Sequence, residues 1–290
     1  EKEEEKENKQ EDAIVQRKRP LCLFWNSGGI IGNSGYEYSI ERIIENEQPD
    51  FILLNENKAT LEDLSAFAIR NGYEVMCVPS IRRLSSRGNL GPSMRGTAIL
   101  HRIGSAFAFE NVLTRVTGVE GDDHAIEAIA VTVEVSPTER TRLIGTYVRG
   151  RNQYLDETVA VCEELSDPTC TRTVIVGDLN MDREDFEHHW TQRGFTNQIP
   201  SSASTNRTKT EKKKQNNDEE QPLTYRSIDW LLTSGEGVVD NVQFCEPDLT
   251  SAEDGKPTPN AHLAFLFELG KGNDPRENND ESPENGDSDH

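Results

Sequence analysis

Val174-Ile175-Val176-Gly177-Asp178-Leu179-Asn180 is a β-branched apolar run that ends in a glycine, a carboxylate and an amide. Short runs of this kind are buried strands, so the polar residues fall where the strand leaves its sheet. An Asp and an Asn two positions apart at a strand end suit a metal ion and a phosphate. The same residues are ordinary turn formers. The stretch alone leaves both readings open.

Upstream, Tyr154 to Leu165 reads as a helix with Leu155, Val159, Cys162 and Leu165 inward. Before it, Leu143 to Val148 is a strand carrying Tyr147 near its end, with Arg149 and Arg151 just beyond. Ile126 to Val135 alternates Ile129, Val131, Val133 and Val135 toward a core, and Thr97 to Leu100 is a further strand. Downstream, Phe186 and Trp190 mark a short helix. Ser227 to Leu232 is a strand with Asp229 inward, and Val238 to Cys245 is another. Leu263 to Leu269 is the last, preceded by His262.

The beginning of the chain repeats the pattern. Leu21 to Asn26 is a strand that ends in an amide and a turn through Gly28, Gly29 and Gly32. Ser39 to Gln48 is an amphipathic helix, and Phe51 to Leu54 is a buried strand with Glu56 at its end. Thr60 and Asp63 resemble a capping box, followed by the stripe Leu61, Leu64, Phe67, Ala68 and a stop at Gly72. Tyr73 to Val78 is the third strand. Pro79 to Gly96 is expected to be a loop, with Arg82, Arg83, Arg87 and Arg95 and no acidic residue. In so acidic a chain it suggests a phosphate-contacting edge.

The 290 residues carry a net charge of −21, which argues against binding nucleic acid through the whole surface. Polyanion contacts would have to come from local basic residues. Residues 1–19 and 271–290 read as charged, disordered tails around one domain at 20–270. Within it, 201–221 lacks periodicity and holds Lys212, Lys213 and Lys214, so a flexible Lys-rich surface insertion is expected. Five cysteines without a Cys-x-x-Cys spacing suggest neither a disulfide framework nor a thiolate zinc site. With no apolar run of membrane-span length and no secretory leader, an intracellular protein is expected, nuclear or cytoplasmic.

Asn26, Glu56, Tyr147, Asp178, Asn180, Asp229 and His262 form a set of polar residues at the ends of otherwise apolar strands. Carboxylates with amides and no thiolates suit a hard, oxygen-preferring cation such as Mg²⁺. Such a cation stabilises charge on a phosphodiester, and an Asp–His pair can move a proton. The chemistry implied is metal-assisted hydrolysis of a phosphoester.

Phe24-Trp25-Asn26, Leu54-Asn55-Glu56, Gly177-Asp178-Leu179-Asn180, Ser227-Ile228-Asp229-Trp230 and His262-Leu263-Ala264 resemble the ordered motifs of the endonuclease/exonuclease/phosphatase superfamily. That resemblance implies an α/β fold, a four-layered α/β sandwich of two packed mixed β-sheets flanked by helices. It implies Mg²⁺, with Mn²⁺ as a substitute. Glu56 would bind the metal and Asn26 would support that site. Asp178 would orient or deprotonate the attacking water, and Asn180 would position water and phosphate. Tyr147 would contact the scissile phosphate, and His262, oriented by Asp229, would bind or protonate a phosphate oxygen. Arg149, Arg151, Arg95 and Lys212 to Lys214 are candidate substrate contacts.

Two residues depart from that pattern. Ala261 stands where the motif has an Asp before its His, and Gly28 stands where some relatives place an Asp. Fewer carboxylates weaken the hold on a hard cation. Arg95-Gly96-Thr97-Ala98-Ile99-Leu100 and the approach Leu223 to Asp229 further resemble the endonuclease domains of LINE-type non-LTR retrotransposons, which nick target DNA. On that reading the chain acts on DNA and is an isolated domain or a fragment, with a reverse transcriptase domain as its partner in the second case. The alternatives are a catalytically dead interaction module of the same fold, or a phosphodiesterase or phosphatase for RNA, phosphoinositide, sphingolipid or a DNA–protein adduct.

Overall fold

In chain order the strands are β1 (Leu21–Asn26), β2 (Phe51–Asn55), β3 (Tyr73–Val78), β4 (Ile81–Leu84), β5 (Leu90–Met94), β6 (Thr97–Arg102), β7 (Phe109–Val119), β8 (Asp123–Ser136), β9 (Glu139–Val148), β10 (Arg172–Asp178), β11 (Phe195–Asn197), β12 (Asn206–Lys209), β13 (Leu223–Arg226), β14 (Asp229–Ser234), β15 (Val239–Cys245), β16 (Ala261–His262) and β17 (Ala264–Leu269). The helices are α1 (Ser34–Glu47), α2 (Leu61–Arg70), α3 (Leu155–Leu165) and α4 (Arg183–His189). This computed structural model describes residues 17–30, 34–78, 81–84, 90–94, 96–119, 123–150, 154–200, 206–209, 223–226, 229–234, 238–245 and 261–270.

Two six-stranded sheets carry the molecule, in the orders β15-β17-β1-β2-β6-β3 and β11-β14-β10-β9-β8-β7. Both are mixed: β1 runs parallel to β2 and β9 parallel to β10, while the other pairings within them are antiparallel. Alternation along each strand decides which face a residue takes. Cys22, Phe24, Phe51, Leu53, Ile99, Phe265 and Phe267 of the first sheet meet Ile129, Val131, Val133, Leu143, Val174, Val176 and Leu231 of the second in one core. Their neighbours of opposite parity face outward. Leu23, Trp25, Ile52, Leu54 and Leu100 pack under α1 and α2 through Ile40, Ile44, Leu64 and Phe67. Ile144, Ile175, Trp230 and Leu232 pack under α3 through Val159, Cys162 and Leu165, with Phe186 of α4 stacked on Trp230 at 5.0 Å. Three cores separate four layers, the α/β sandwich expected from the sequence.

The strands can be apolar on nearly every residue because helices cover what the sheet pairing leaves open. Helix α2 starts where the capping pattern put it: the Thr60 hydroxyl accepts from the Asp63 N–H at 3.1 Å. Helix α1 begins five residues before the expected Ser39, and α3 and β17 each begin one residue later than expected.

Three expectations need correction. The Arg-rich segment after β3 was expected to be a loop, yet β4 and β5 pair within it as an antiparallel hairpin. The insertion at 201–221 was expected to lack structure, yet 206–209 form β12, which pairs with both β13 and β16. Strand β7, between β6 and β8, was not anticipated at all. Of the expected tail at 1–19, Arg17 donates to the Glu47 and Gln48 carbonyls and Arg19 pairs with Asp240. Residues 1–16 of that tail, the tail at 271–290 and most of the insertion, including Lys212, Lys213 and Lys214, lie outside the described residues.

Candidate active site

The core between the sheets changes character in its last layer. Extending the inward alternation by one step from Phe24, Leu53, Ile99, Ile129, Val176 and Leu231 reaches Asn26, Asn55, Thr97, Glu127, Asp178 and Asp229. All six are buried. In the second sheet the register aligns Glu127 with Tyr147, Tyr147 with Asp178 and Asp178 with Asp229, a row across β8, β9, β10 and β14. In the first, Asn26 and Asn55 are register partners on β1 and β2. A polar layer at one end of an otherwise apolar inter-sheet core is what these alternations produce.

Asp178 sits at its centre. Its Oδ2 accepts from the Asn26 side-chain amide at 2.9 Å, its Oδ1 from the Asn180 N–H at 3.0 Å, and its own N–H donates to Asn55 Oδ1 at 3.0 Å. Asn180 lies in the left-handed region, at φ +46°, and its side-chain amide donates to the Val148 carbonyl at 2.8 Å. The stretch Gly177 to Asn180 is therefore a turn closed by its own aspartate, and the same aspartate faces the polar layer. His262 on β16 turns Nδ1 toward both oxygens of Asp229, at 3.0 and 2.8 Å. The His262 carbonyl accepts from the Trp25 indole N–H at 3.0 Å, which ties this strand to β1. Glu56, just past β2 at φ +47°, is partly exposed, and Lys58 lies 3.6 Å from its carboxylate. The Lys58 ammonium also donates to the Gly28 carbonyl at 2.8 Å.

The charges here are strongly coupled. Burial, then the neighbouring Asp229 and Glu56 charges, push the Asp178 carboxyl up to about 8 against the pull of His262 and the Asn180 N–H. Burial disfavours the His262 imidazolium, but the charge and hydrogen bond of Asp229, followed by Asp178 and Glu56, raise it to about 9. Both groups hold protons more tightly folded than unfolded, so stability falls as pH rises. The His262 contribution is complete below pH 6.5 and is lost through about 9, while the Asp178 penalty grows from its ordinary range to about 8. The metal-free protein should therefore melt on the order of 5 °C lower at pH 9 than at pH 6.5. Calorimetry at the two pH values checks this, and Mg²⁺ should narrow the gap; an unchanged midpoint would contradict the coupling.

Asp178, Asp229 and His262 each offer a ligand atom within 4.8 Å of the others. Two buried carboxylates, with the Glu56 charge acting on Asp178 and His262, fit a divalent cation. Its charge would relieve the repulsion that raises Asp178. Oxygen predominates over nitrogen, and no thiolate is present in this cluster.

The structure brings together Asn26, Glu56, Tyr147, Asp178, Asn180, Asp229 and His262 around one end of the inter-sheet seam. Asn26, expected to support the metal, donates to Asp178 and accepts from the Gly28 N–H at 3.2 Å. Arg149 follows β9 and is exposed, while Arg95 and Arg151 lie outside the described residues. Ala261 is on β16 in register with Arg207 of β12. Sequence reasoning gave no role to Asn55, Thr97 and Glu127, although the alternation already used for Ile129, Leu53 and Ile99 points to each of them.

No family model matches the chain, and no curated protein matches its sequence. Solved structures do match. The human Nocturnin catalytic domain with bound sulfate has a TM-score of 0.60 at 15% identity, covering 88% of this chain and 96% of that one. D. rerio TDP2 complexed with single-strand DNA product has a TM-score of 0.63 at 13% identity, covering 88% and 100%. An AP endonuclease from Archaeoglobus fulgidus has a TM-score of 0.59 at 16% identity, covering 86% and 99%. At such identities the likeness is one of fold.

Proposed function

We propose that this chain, whose fold is that of the endonuclease/exonuclease/phosphatase superfamily, is a Mg²⁺-dependent phosphodiesterase that nicks DNA. The observation that carries the proposal is the convergence of Glu56 from the loop after β2, Asp178 and Asp229 from the second sheet, and His262 from the small sheet β13-β12-β16, on one polar layer. Structures described as bound to DNA product, those of TDP2 and of the Neisseria 3′ phosphatase NExo, have this fold and support DNA over other phosphodiesters. The likeness of Arg95 to Leu100 and of Leu223 to Asp229 to LINE-type endonucleases favours target-site nicking within that class. Among the described residues no helix is long and apolar enough to cross a membrane.

Glu56 and Asp178, with Asp229 beside them, would hold the cation, while His262 stays protonated and does not ligate it. When bound, it supplies positive charge to the phosphate and makes water more acidic. Asp178, fixed through its backbone and both carboxylate oxygens, receives the proton of the attacking water. Asn180, at the turn, positions that water and the phosphate. Tyr147, in register beside Asp178, contacts a phosphate oxygen. His262, held by Asp229 and raised to about 9, carries the positive charge that binds or protonates the phosphate as the bond breaks.

A supercoiled plasmid incubated with Mg²⁺ should become nicked circle, and EDTA should abolish this. Because Ala261 lies next to His262 on the same strand, Ala261→Asp should restore a carboxylate and raise the rate about 10–100-fold. A gain seen only in that variant identifies a weakened enzyme. No cleavage of DNA by either form sinks the proposal.

A further inference from the structure

A buried hydrogen-bonded chain runs from one sheet to the other and back behind the site. The Glu127 carboxylate on β8 accepts from the Gly96 N–H at 3.1 Å and from the Thr97 hydroxyl at 3.3 Å, through the same oxygen. The Thr97 hydroxyl in turn accepts from the Asn55 side-chain amide at 3.3 Å. Asn55 then accepts the Asp178 N–H at 3.0 Å through its other end. Glu127, Thr97 and Asn55 are each at most 1% exposed.

We propose that Asn55 is a positioning residue for Asp178, and that Thr97 and Glu127 lock its amide in the orientation this requires. The inference rests on the reading of Asp178 as a group that serves phosphodiester hydrolysis.

An asparagine amide can turn either end toward a neighbour. Here Thr97 gives its hydrogen to Glu127, so a lone pair faces Asn55 and demands the NH₂ there. The carbonyl end is then left for Asp178. Asn55 immediately precedes Glu56, so one side chain sets how far the carboxylate of the first sheet stands from that of the second. Asn26, its register partner on β1, grips the Asp178 carboxylate while Asn55 grips the Asp178 backbone. Without Asn55 the end of β10 keeps its strand pairing and the Asn26 contact to its carboxylate, but loses the backbone tie to the opposite sheet. Small misplacements of reacting groups are costly to rate, and much less so to stability.

The test compares Asn55→Leu, Thr97→Val and Thr97→Ser for single-turnover plasmid nicking, melting temperature and hydrogen exchange at the Asp178 amide. Asn55→Leu should lower the nicking rate about 10–100-fold and expose the Asp178 amide to exchange. Thr97→Val keeps shape and loses the hydroxyl, so it should slow nicking several-fold with little change in melting, and Thr97→Ser should restore it. This pair tests the lock even if Asn55→Leu does not fold. In an Asp178→Asn background Asn55→Leu should add almost nothing, because both act through one group. Nicking within twofold of the parent in Asn55→Leu and Thr97→Val overturns the proposal and leaves the nuclease reading standing. A still-protected Asp178 amide in Asn55→Leu overturns it whether or not the parent cleaves DNA. Failure of the parent and of Ala261→Asp to cleave overturns the nuclease reading itself, and the positioning role with it.

Discussion

Asp178→Asn should slow DNA nicking about a thousandfold, in keeping with the loss of a positioned acid–base group, while making the metal-free protein harder to melt at alkaline pH. The two effects share one cause. The Asp178 carboxylate is buried, faces Asp229 and feels Glu56, so ionising it above its pKa of about 8 works against the fold. An uncharged amide removes that penalty. It also brings an NH₂ toward the Asn26 NH₂ where a carboxylate oxygen now accepts, so a hydrogen bond is lost at every pH. The expected signature is a difference in melting temperature between variant and parent that grows in favour of the variant from pH 5 to pH 9. Full activity in the variant, or a melting difference that ignores pH, would refute the role assigned to this carboxylate.

Gly177→Ala should leave no folded protein. A Cβ at this position would collide with the Thr146 carbonyl oxygen, on the neighbouring β9 to which β10 is registered residue by residue. The obstacle is backbone inside a sheet, which cannot step aside as a side chain can. Relieving it means opening the β9–β10 pairing at the centre of the second sheet. The cost is on the order of the whole stability of a domain, about 5–15 kcal/mol. Gly194→Ala is the control: its φ of +78° is unfavourable for alanine, but nothing lies within 4 Å, so only about 1–2 kcal/mol is expected. Circular dichroism and soluble yield distinguish the two, and a folded Gly177→Ala protein melting near the parent would disprove the close approach.

What the sequence made legible was the set of strands that bury both faces and the polar residues that end them. Val174 to Asp178 and Phe51 to Leu54 announce themselves because covered strands are continuous in apolar, β-branched residues. Strands held mainly by backbone pairing were missed. Strand β12 is Asn-Arg-Thr-Lys, and its place is fixed by ladders to β13 and β16. Strand β5 contains Pro92 and Gly91, residues that argue against a strand except at an edge. Strand β7 runs along the edge of its sheet with Val112, Leu113 and Val116 exposed, so no alternation marks it. In the site, Asp178 and His262 carried chemistry that could be read from residue type. Asn55, Thr97 and Glu127 are ordinary residues individually, and only the order of strands across two sheets shows that they touch. That order pairs residues more than a hundred positions apart, which a local pattern does not encode.

The antiparallel partnership of β1 with β17 bears on how the protein comes into being. Strand β1 meets β2 soon after both are made, but its other edge waits until residues 264–269 follow. His262 arrives with that same closing segment. Until then the first sheet has an open edge in its middle, an invitation to pair with another nascent chain. The candidate site and the protection of that edge are completed together, so a chain released before residue 261 would lack His262 and be prone to aggregate.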